Sequence, residues 1–158
     1  MCMVREPIIQ STGLTKAYGS HVALDSLDIK IEQGSTGLLG PNGAGKSTFL
    51  KTILGLIQLT SGEGQVLSYD IRTQGPEIRQ KIGYMPEYDA LNPGMEAIHQ
   101  VRYSGELIGM NPNVALQRAH QALEYVGLGE QRYRQVSTFS TGMKQATKLA
   151  CALIMTLH

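Results

Sequence analysis

The stretch that most constrains this chain is "GPNGAGKST", which runs from Gly40 to Thr48. It fits the pattern G-x-x-x-x-G-K-[ST], with Lys46 and Ser47 in the last two positions. Apolar residues at helical spacing follow it, so the loop is expected to lead into a helix N-terminus. Consecutive N–H groups of such a loop converge on one point, and the helix dipole adds about half a positive charge there. The stretch therefore predicts a phosphate-binding loop.

The residue types of the loop match the chemistry of a nucleotide. Gly43 and Gly45 can take positive φ and place no Cβ in the way of a phosphate. Lys46 is expected to reach the β- and γ-phosphates, and the Ser47 hydroxyl is expected to bind Mg²⁺. The pattern alone does not separate kinases, GTPases and transport ATPases. A glycine-rich turn before an ordinary helix is the alternative at this point.

The first half of the chain predicts strands around one helix. Extended segments are predicted at "PIIQSTGLT" and at "SLDIKIEQG", where apolar and polar residues alternate as in a half-buried strand. A short strand is predicted over 35–39, "LTSGEGQ" is predicted to be a loop, and brief strands are predicted at 66–67 and at "KIGYM" (81–85). The apolar face of the helix after the loop comprises Phe49, Leu50, Ile53, Leu54 and Ile57.

The second half predicts helices. Residues 87–129 are interrupted by "NPG" and "NPN", and Asn113 is the predicted N-cap of a helix. That helix has an apolar face of Ala115, Ala119, Ala122, Leu123 and Val126. A last helix is predicted to begin near Ser140, with an apolar stripe of Ala146, Leu149, Ala150, Leu153, Ile154 and Leu157. Cys151 is predicted to be an inert core thiol of this helix.

Composition narrows the class of protein. The chain is 42% hydrophobic and 17% charged, which is typical of a soluble globular protein. Its net charge is +1 without a basic cluster, which disfavours a nucleic-acid binder. The two cysteines lack metal-ligand spacing and favour a reducing compartment. There is no apolar signal region and no run of about 18–20 apolar residues, so membrane association is expected only through a partner.

Longer stretches resemble the ATP-binding cassette (ABC) domain. "LTKAYGSHVALDSLDIKIEQGSTGLLGPNGAGKSTFLKTILGLIQLTSGEGQVL" is similar to the start of that domain, "KIGYMPEYDALNP" to its Q-loop region and "FSTGMKQATKLACAL" to its signature helix. The motifs keep the family's order and cover essentially the whole chain. "IGYMPE" and "FSTGMKQ" resemble exporter-type cassettes that serve drug or small-solute efflux.

The resemblance implies an α/β fold. It would be a P-loop NTPase (RecA-like) core with an N-terminal antiparallel β-subdomain and an inserted α-helical subdomain, and with the C-terminal core strands missing. The implied partition of this partial domain, 1–158, is an antiparallel β region over 1–33, the P-loop core over 34–86, a helical subdomain over 87–139 and the signature helix over 140–158.

The resemblance also assigns roles near the nucleotide. Tyr18 would stack on adenine, and a tyrosine that packs on a strand edge is the alternative. The phosphate-binding positions would be Asn42, Gly43, Ala44, Gly45, Lys46, Ser47 and Thr48. Glu87 stands where the family usually has glutamine; with Ser47 it would contact Mg²⁺, although glutamate lacks the amide donor. A solvated loop acid is the alternative for Glu87.

A second group of residues matches the family's signature in variant form: Ser140, Thr141, Gly142, Met143, Lys144 and Gln145. In the family this segment contacts the γ-phosphate held by the opposite cassette of a dimer. Thr141 replaces the usual glycine, and Ala146 replaces the usual arginine. Without the resemblance, Ser140 would be interpreted only as a helix cap.

Cassettes that hydrolyse ATP also carry a buried strand ending in Asp-Glu and a later histidine. The 13 acidic residues include no apolar run followed by Asp-Glu. Asp70, after "VLSY", is the nearest match and has no glutamate after it. The pattern indicates the N-terminal part of a domain, so we expect that this chain alone does not hydrolyse ATP at a cassette-like rate.

The function implied is that of an ATP-binding subunit of an ABC transporter, with ATP and Mg²⁺ as cofactors, that powers solute transport in the direction of efflux. Its partners would be a second cassette and a transmembrane permease, with no nucleic acid. It would be cytoplasmic, held on the inner face of the cell membrane by the permease. The alternatives are a non-catalytic nucleotide-binding or interaction module, a non-functional fragment, or another P-loop enzyme such as a small-molecule kinase.

Overall fold

The computed structural model describes residues 6–88 and 90–156. Contacts divide the chain into two compact units, Met1–Arg79 and Gln80–His158, which are described separately. The finer partition drawn from the sequence stays a prediction.

The first unit contains a four-stranded antiparallel sheet. Its strands are β1 (Ile9–Tyr18), β2 (His21–Ile31), β3 (Ser61–Val66) and β4 (Tyr69–Asp70), in the spatial order β2-β1-β3-β4. Leu27, Ile29 and Ile31 are half-buried and the residues between them are exposed, as the alternation predicts. The two predicted N-terminal strands and their antiparallel pairing are therefore confirmed.

The prediction of a loop at "LTSGEGQ" is wrong, because most of that stretch is strand β3. A Cβ on Gly62 would lie 2.1 Å from the carbonyl oxygen of Gly13 on β1. At Gly64 it would lie 2.8 Å from Cδ1 of Ile71. The glycines permit the close approach of a neighbouring strand and a buried side chain, a use of glycine inside sheets that composition alone does not separate from a loop.

Helix α1 (Lys46–Ile53) follows the glycine-rich loop, and a short helix α2 (Gly75–Arg79) follows β4. Gly55 ends α1 in the left-handed conformation, with φ of 62°. The Gly55 N–H donates to the carbonyl of Thr52, and the Leu56 N–H donates to the carbonyl of Lys51, each at 2.9 Å.

The buried face of α1 is narrower than the sequence predicts. Leu50 is exposed, which corrects its predicted place on the apolar face. The core of this unit comprises Leu14, Leu24, Phe49, Ile53, Leu54, Val66, Ile71 and Ile78.

The second unit is helical, with α3 (Ala97–Leu107), α4 (Pro112–Tyr125), a 3-10 turn (Val136–Thr138) and α5 (Thr141–Leu153). The predicted apolar face of α4 is confirmed, since its alanines and Leu123 are fully buried. The core comprises Ala97, Ile98, Val101, Ala119, Ala122, Leu123, Leu128, Val136, Phe139, Ala150 and Ile154. Within the described residues, every helix is too short or too polar to cross a bilayer.

Two helix predictions need correction. The N-cap of α4 is Asn111 rather than Asn113, because the Asn111 Oδ1 accepts the Asn113 N–H at 3.0 Å and Pro112 occupies the first helical position. Leu149 is 43% exposed and does not belong to the buried stripe of α5. Leu157 of that predicted stripe lies outside the described residues.

The strands predicted over 35–39 and 81–85 are also wrong, since neither segment has strand structure. Leu39 is 93% exposed. An apolar run becomes a strand only when a neighbouring strand supplies hydrogen-bond partners, and neither segment pairs with one in the structure.

Candidate functional site

The glycine-rich loop adopts the backbone that the sequence predicts. Gly45 is the N-cap of α1 with φ of 81°, and Gly43 has φ of 85°. A Cβ on Gly45 would lie 2.3 Å from the carbonyl oxygen of Ala23, so only glycine fits there. Among the described residues, a Cβ on Gly43 would meet nothing within 4 Å. The two glycines thus serve different purposes, one for packing and one for conformation.

The side chain of Lys46 closes the loop. Its ammonium donates hydrogen bonds to the carbonyl oxygens of Gly40 and Pro41, both at 2.7 Å. An ammonium carries three N–H donors, so these two bonds leave one donor for a further acceptor. The positive charge therefore lies at the loop itself.

The N-terminus of α1 is suited to an anion. The first turn contains no acidic side chain, and Gly45 supplies no side-chain acceptor to the helical N–H groups. The helix dipole is therefore not offset by a carboxylate from its own first turn. Asn42, Ala44 and Ser47 are exposed at the loop, and Thr48 is half-buried. This donor set fits a polyphosphate.

Tyr18 lies at the end of β1, where it pairs with His21 at the start of β2. Tyr18 is 49% exposed, and the Lys16 ammonium lies 4.8 Å from the centroid of its ring. Ala23, which contacts the phosphate loop at Gly45, is close to His21 on the same strand. The structure thus brings Tyr18 and the loop to the same end of the β1–β2 hairpin.

The predicted metal ligands fall in different units. Ser47 is the second residue of α1 in the first unit. Glu87 is exposed and lies in a segment of the second unit without regular secondary structure. Among the described residues there is no group of three or more His, Cys, Asp or Glu side chains that would hold a metal ion. Magnesium binding by Ser47 and Glu87 stays a prediction.

Asp70 is engaged by its own backbone rather than placed at a metal site. Its carboxylate accepts the N–H groups of Arg72 and Thr73 at 2.8 and 3.0 Å, and the Thr73 hydroxyl at 3.1 Å. These bonds, led by that from Arg72, lower the pKa of Asp70 below its usual value of 3.8, against an opposing effect of burial. The carboxylate stabilises the turn after β4.

The signature segment forms the start of α5 as predicted. The Ser140 Oγ accepts the Met143 N–H at 3.3 Å and caps the helix. Thr141 and Gly142 are exposed in the first turn. Among the described residues, a Cβ on Gly142 would meet only the Ser140 Oγ, at 4.0 Å. Met143 packs against the core, Lys144 is half-buried and Gln145 is exposed.

Sequence reasoning missed Lys148 on α5. This lysine is only 4% exposed, and its ammonium donates to the carbonyls of Pro86, Glu87 and Tyr88 at 3.1, 3.4 and 3.3 Å. A charged residue inside the apolar run "KLACALIM" was the available signal, because lysine is almost never fully buried without partners.

Known proteins with similar sequences identify the family. The family model described as "ABC transporter" matches residues 24–157. The chain belongs to the ABC transporter family. Membership accounts for the order of the phosphate loop, the Glu87 segment and the signature helix, and it implies nucleotide binding.

Two similar proteins are named as resistance ATP-binding proteins. The chain is 38% identical over 148 residues to the linearmycin resistance ATP-binding protein LnrL of Bacillus subtilis, covering 93% of this chain and 48% of that protein. It is 31% identical to the daunorubicin/doxorubicin resistance ATP-binding protein DrrA of Streptomyces peucetius, covering 94% of this chain and 45% of that protein. The chain thus spans about half the length of these curated relatives.

Solved structures agree on the fold. The structure of cbiO1 from Clostridium perfringens, described as part of the ABC transporter complex cbiONQ, superposes with a TM-score of 0.83 at 22% identity, over 96% of this chain and 63% of that one. The antiparallel sheet and the helices are thus those of a P-loop ABC domain, and the fold predicted from the sequence is confirmed.

Proposed function

We propose that this chain is the nucleotide-binding part of an ABC transporter subunit that binds Mg-ATP to power solute export. The observation that carries the proposal is the loop before α1, where two glycines take positive φ and Lys46 is held at the helix N-terminus. The names of the relatives, which concern resistance to linearmycin and to daunorubicin and doxorubicin, support the direction of transport.

Each side chain has a defined task in this proposal. The loop N–H groups and Lys46 bind the phosphates, and Tyr18 offers the exposed face of its ring to adenine. Ser47 and Glu87 would hold Mg²⁺, which would neutralise phosphate charge. We expect the 158 residues alone to bind ATP without appreciable hydrolysis, because their sequence contains no apolar strand ending in Asp-Glu.

Equilibrium titration with a fluorescent ATP analogue, with and without Mg²⁺, tests binding. We expect saturable binding that Mg²⁺ strengthens and that unlabelled ATP displaces. Phosphate release is measured in parallel and should stay at the background of a Lys46→Ala sample. Absence of displaceable binding would contradict the proposal, and Lys46-dependent phosphate release would contradict the expected lack of hydrolysis.

The second part of the proposal is that the signature segment binds ATP held by another cassette, while a membrane permease supplies the transport path. Gly142 provides the test, since among the described residues a Cβ there would meet only the Ser140 Oγ, at 4.0 Å. Gly142→Leu should leave folding intact and abolish ATP-dependent self-association in sedimentation. Gln121→Leu, at an exposed position of α4, is the matched control and should associate normally.

A further inference from the structure

The buried ammonium of Lys148 supports an inference beyond the roles above. Three consecutive carbonyls, those of Pro86, Glu87 and Tyr88, lie within 3.4 Å of this one atom. The segment that bears them has no regular secondary structure. Its peptide planes are therefore oriented by the lysine rather than by a helix or a sheet. With the carbonyls turned toward α5, the side chains of Glu87 and Tyr88 are exposed to solvent.

A second contact anchors the same segment to α5. A Cβ on Gly83 would lie 2.2 Å from the carbonyl oxygen of Ala152, so the backbone at Gly83 packs directly on the helix. Lys148 and Ala152 are four residues apart and thus lie on one face of α5. This face of α5 therefore contacts the stretch 83–88 at both ends, through Ala152 at Gly83 and through Lys148 at residues 86–88.

Packing around the segment is otherwise incomplete. A cavity of about 220 Å³ is lined by Tyr84 and Pro86 from the segment and by Lys148 and Cys151 from α5. Because the side chains of the described residues do not fill this space, we infer that the hydrogen bonds of Lys148 contribute a large share of the order of the segment.

We propose that Lys148 is a positioning residue that fixes the backbone of residues 86–88, and with it the Glu87 carboxylate, relative to the signature helix α5. The role of Glu87 in this inference rests on the function proposed above. Ser140 begins the helix that carries Lys148, about 12 Å away along its axis at 1.5 Å per residue. A shift of α5 would therefore move the Glu87 segment with it.

Limited proteolysis with a glutamate-specific protease measures the order of the segment without nucleotide. Lys148→Met removes the ammonium and keeps most of the side-chain length. We expect cleavage after Glu87 to accelerate about tenfold relative to cleavage after Glu32, an exposed glutamate of the first unit, because local opening becomes easier. Lys148→Arg should restore slow cleavage, and Lys51→Met, at an exposed helical position, should have no effect.

Unchanged cleavage after Glu87 in folded Lys148→Met would overturn the proposal, as would failure of Lys148→Arg to restore slow cleavage. If Lys148→Met lowers the melting temperature so far that cleavage rises at Glu32 as well, Lys148→Gln takes its place, since its amide can donate to only part of the carbonyl cluster. Slow cleavage after Glu87 in folded Lys148→Gln would then overturn the proposal.

A binding cycle tests the link to Glu87. The Mg²⁺-dependent part of ATP affinity is measured for Lys148→Met, Glu87→Ala and the double variant. We expect each single change to weaken it about tenfold and the double change to weaken it no further, since Lys148 acts through Glu87. Additive losses would overturn this link. If the unsubstituted chain does not bind ATP, the proposed function fails while the proteolysis result still decides the positioning role.

Discussion

The Nζ atom of Lys46 lies 2.7 Å from the carbonyl oxygen of Gly40, at the beginning of the same loop. A second bond of equal length joins it to Pro41. The lysine therefore links the start of the loop to the start of α1 and keeps its charge beside the helix N-terminus. A group already placed in this way loses less conformational freedom on binding an anion.

Lys46→Ala should weaken ATP binding about 10- to 100-fold, since hydrogen bonds to charged groups each contribute about 1.5–3 kcal/mol. The free energy of unfolding should change by less than about 1 kcal/mol, because the loop carbonyls that lose their donor are exposed to water. Titration with a fluorescent ATP analogue and thermal melting measure the two effects. Lys51→Ala, at an exposed position of α1, is the control and should bind normally; equal affinity of the two variants would contradict the prediction.

Gly45 and Gly43 form a matched pair for a stability test. Both have positive φ, but only a Cβ on Gly45 meets backbone, at 2.3 Å from the Ala23 carbonyl oxygen. Gly43→Ala should lower the free energy of unfolding by about 1–2 kcal/mol, the cost of left-handed backbone for a residue with a Cβ. Gly45→Ala should lower it by at least about 2 kcal/mol more, because the loop must also move away from β2. Urea denaturation measures the free energy of unfolding of both variants. Equal losses would contradict the prediction and would mean that the loop moves away from Ala23 at little cost in stability.

The sequence predicted those parts of the fold that depend on the pattern of apolar residues within a single strand or helix. The alternation of Leu27, Ile29 and Ile31 and the apolar face of α4 depend only on the period of one element. Strand β3 was missed because Gly62 and Gly64 permit the close approach of Gly13 and Ile71, which the pattern of the segment itself does not show. The strands predicted over 35–39 and 81–85 failed for the related reason that strand pairing is not a property of the segment alone.

In the candidate site, too, the features that depend on a local motif were predicted and those that depend on distant residues were not. The phosphate loop is a contiguous motif, so the positive φ of Gly43 and Gly45 followed from the sequence. Lys148 did not, because its three carbonyl partners lie some sixty residues earlier in the chain. The cap of α4 was misplaced because "NPN" offers two asparagines, and only the fixed φ of Pro at the first helical position favours Asn111.

Tyr18 provides a test of adenine stacking. Its ring is half-exposed at a strand end, so substitution should have little effect on folding. Tyr18→Phe keeps the ring and should bind ATP as the unsubstituted chain does. Tyr18→Ala should bind about tenfold or more weakly, since stacking of a base on an aromatic ring contributes about 1–3 kcal/mol. Inorganic triphosphate, which lacks a base, should compete equally well in all three proteins, and a loss of triphosphate binding in Tyr18→Ala would assign the tyrosine to folding rather than to stacking.

Asp70 should make stability depend on pH in a defined direction. Backbone N–H bonds from Arg72 and Thr73 lower its pKa in the folded chain below the usual 3.8. Its contribution is therefore fully present above the unfolded-state pKa of about 3.9 and is lost as pH falls through the folded value. Asp70→Asn keeps the shape and removes the charge. We expect the variant to be less stable at pH 7 by a small margin, because the carboxylate lies near solvent, and the difference should shrink as the pH is lowered below about 4. Urea unfolding at pH 7, 5 and 3 measures this convergence, and a difference that stayed constant with pH would show that the turn does not depend on the ionised carboxylate.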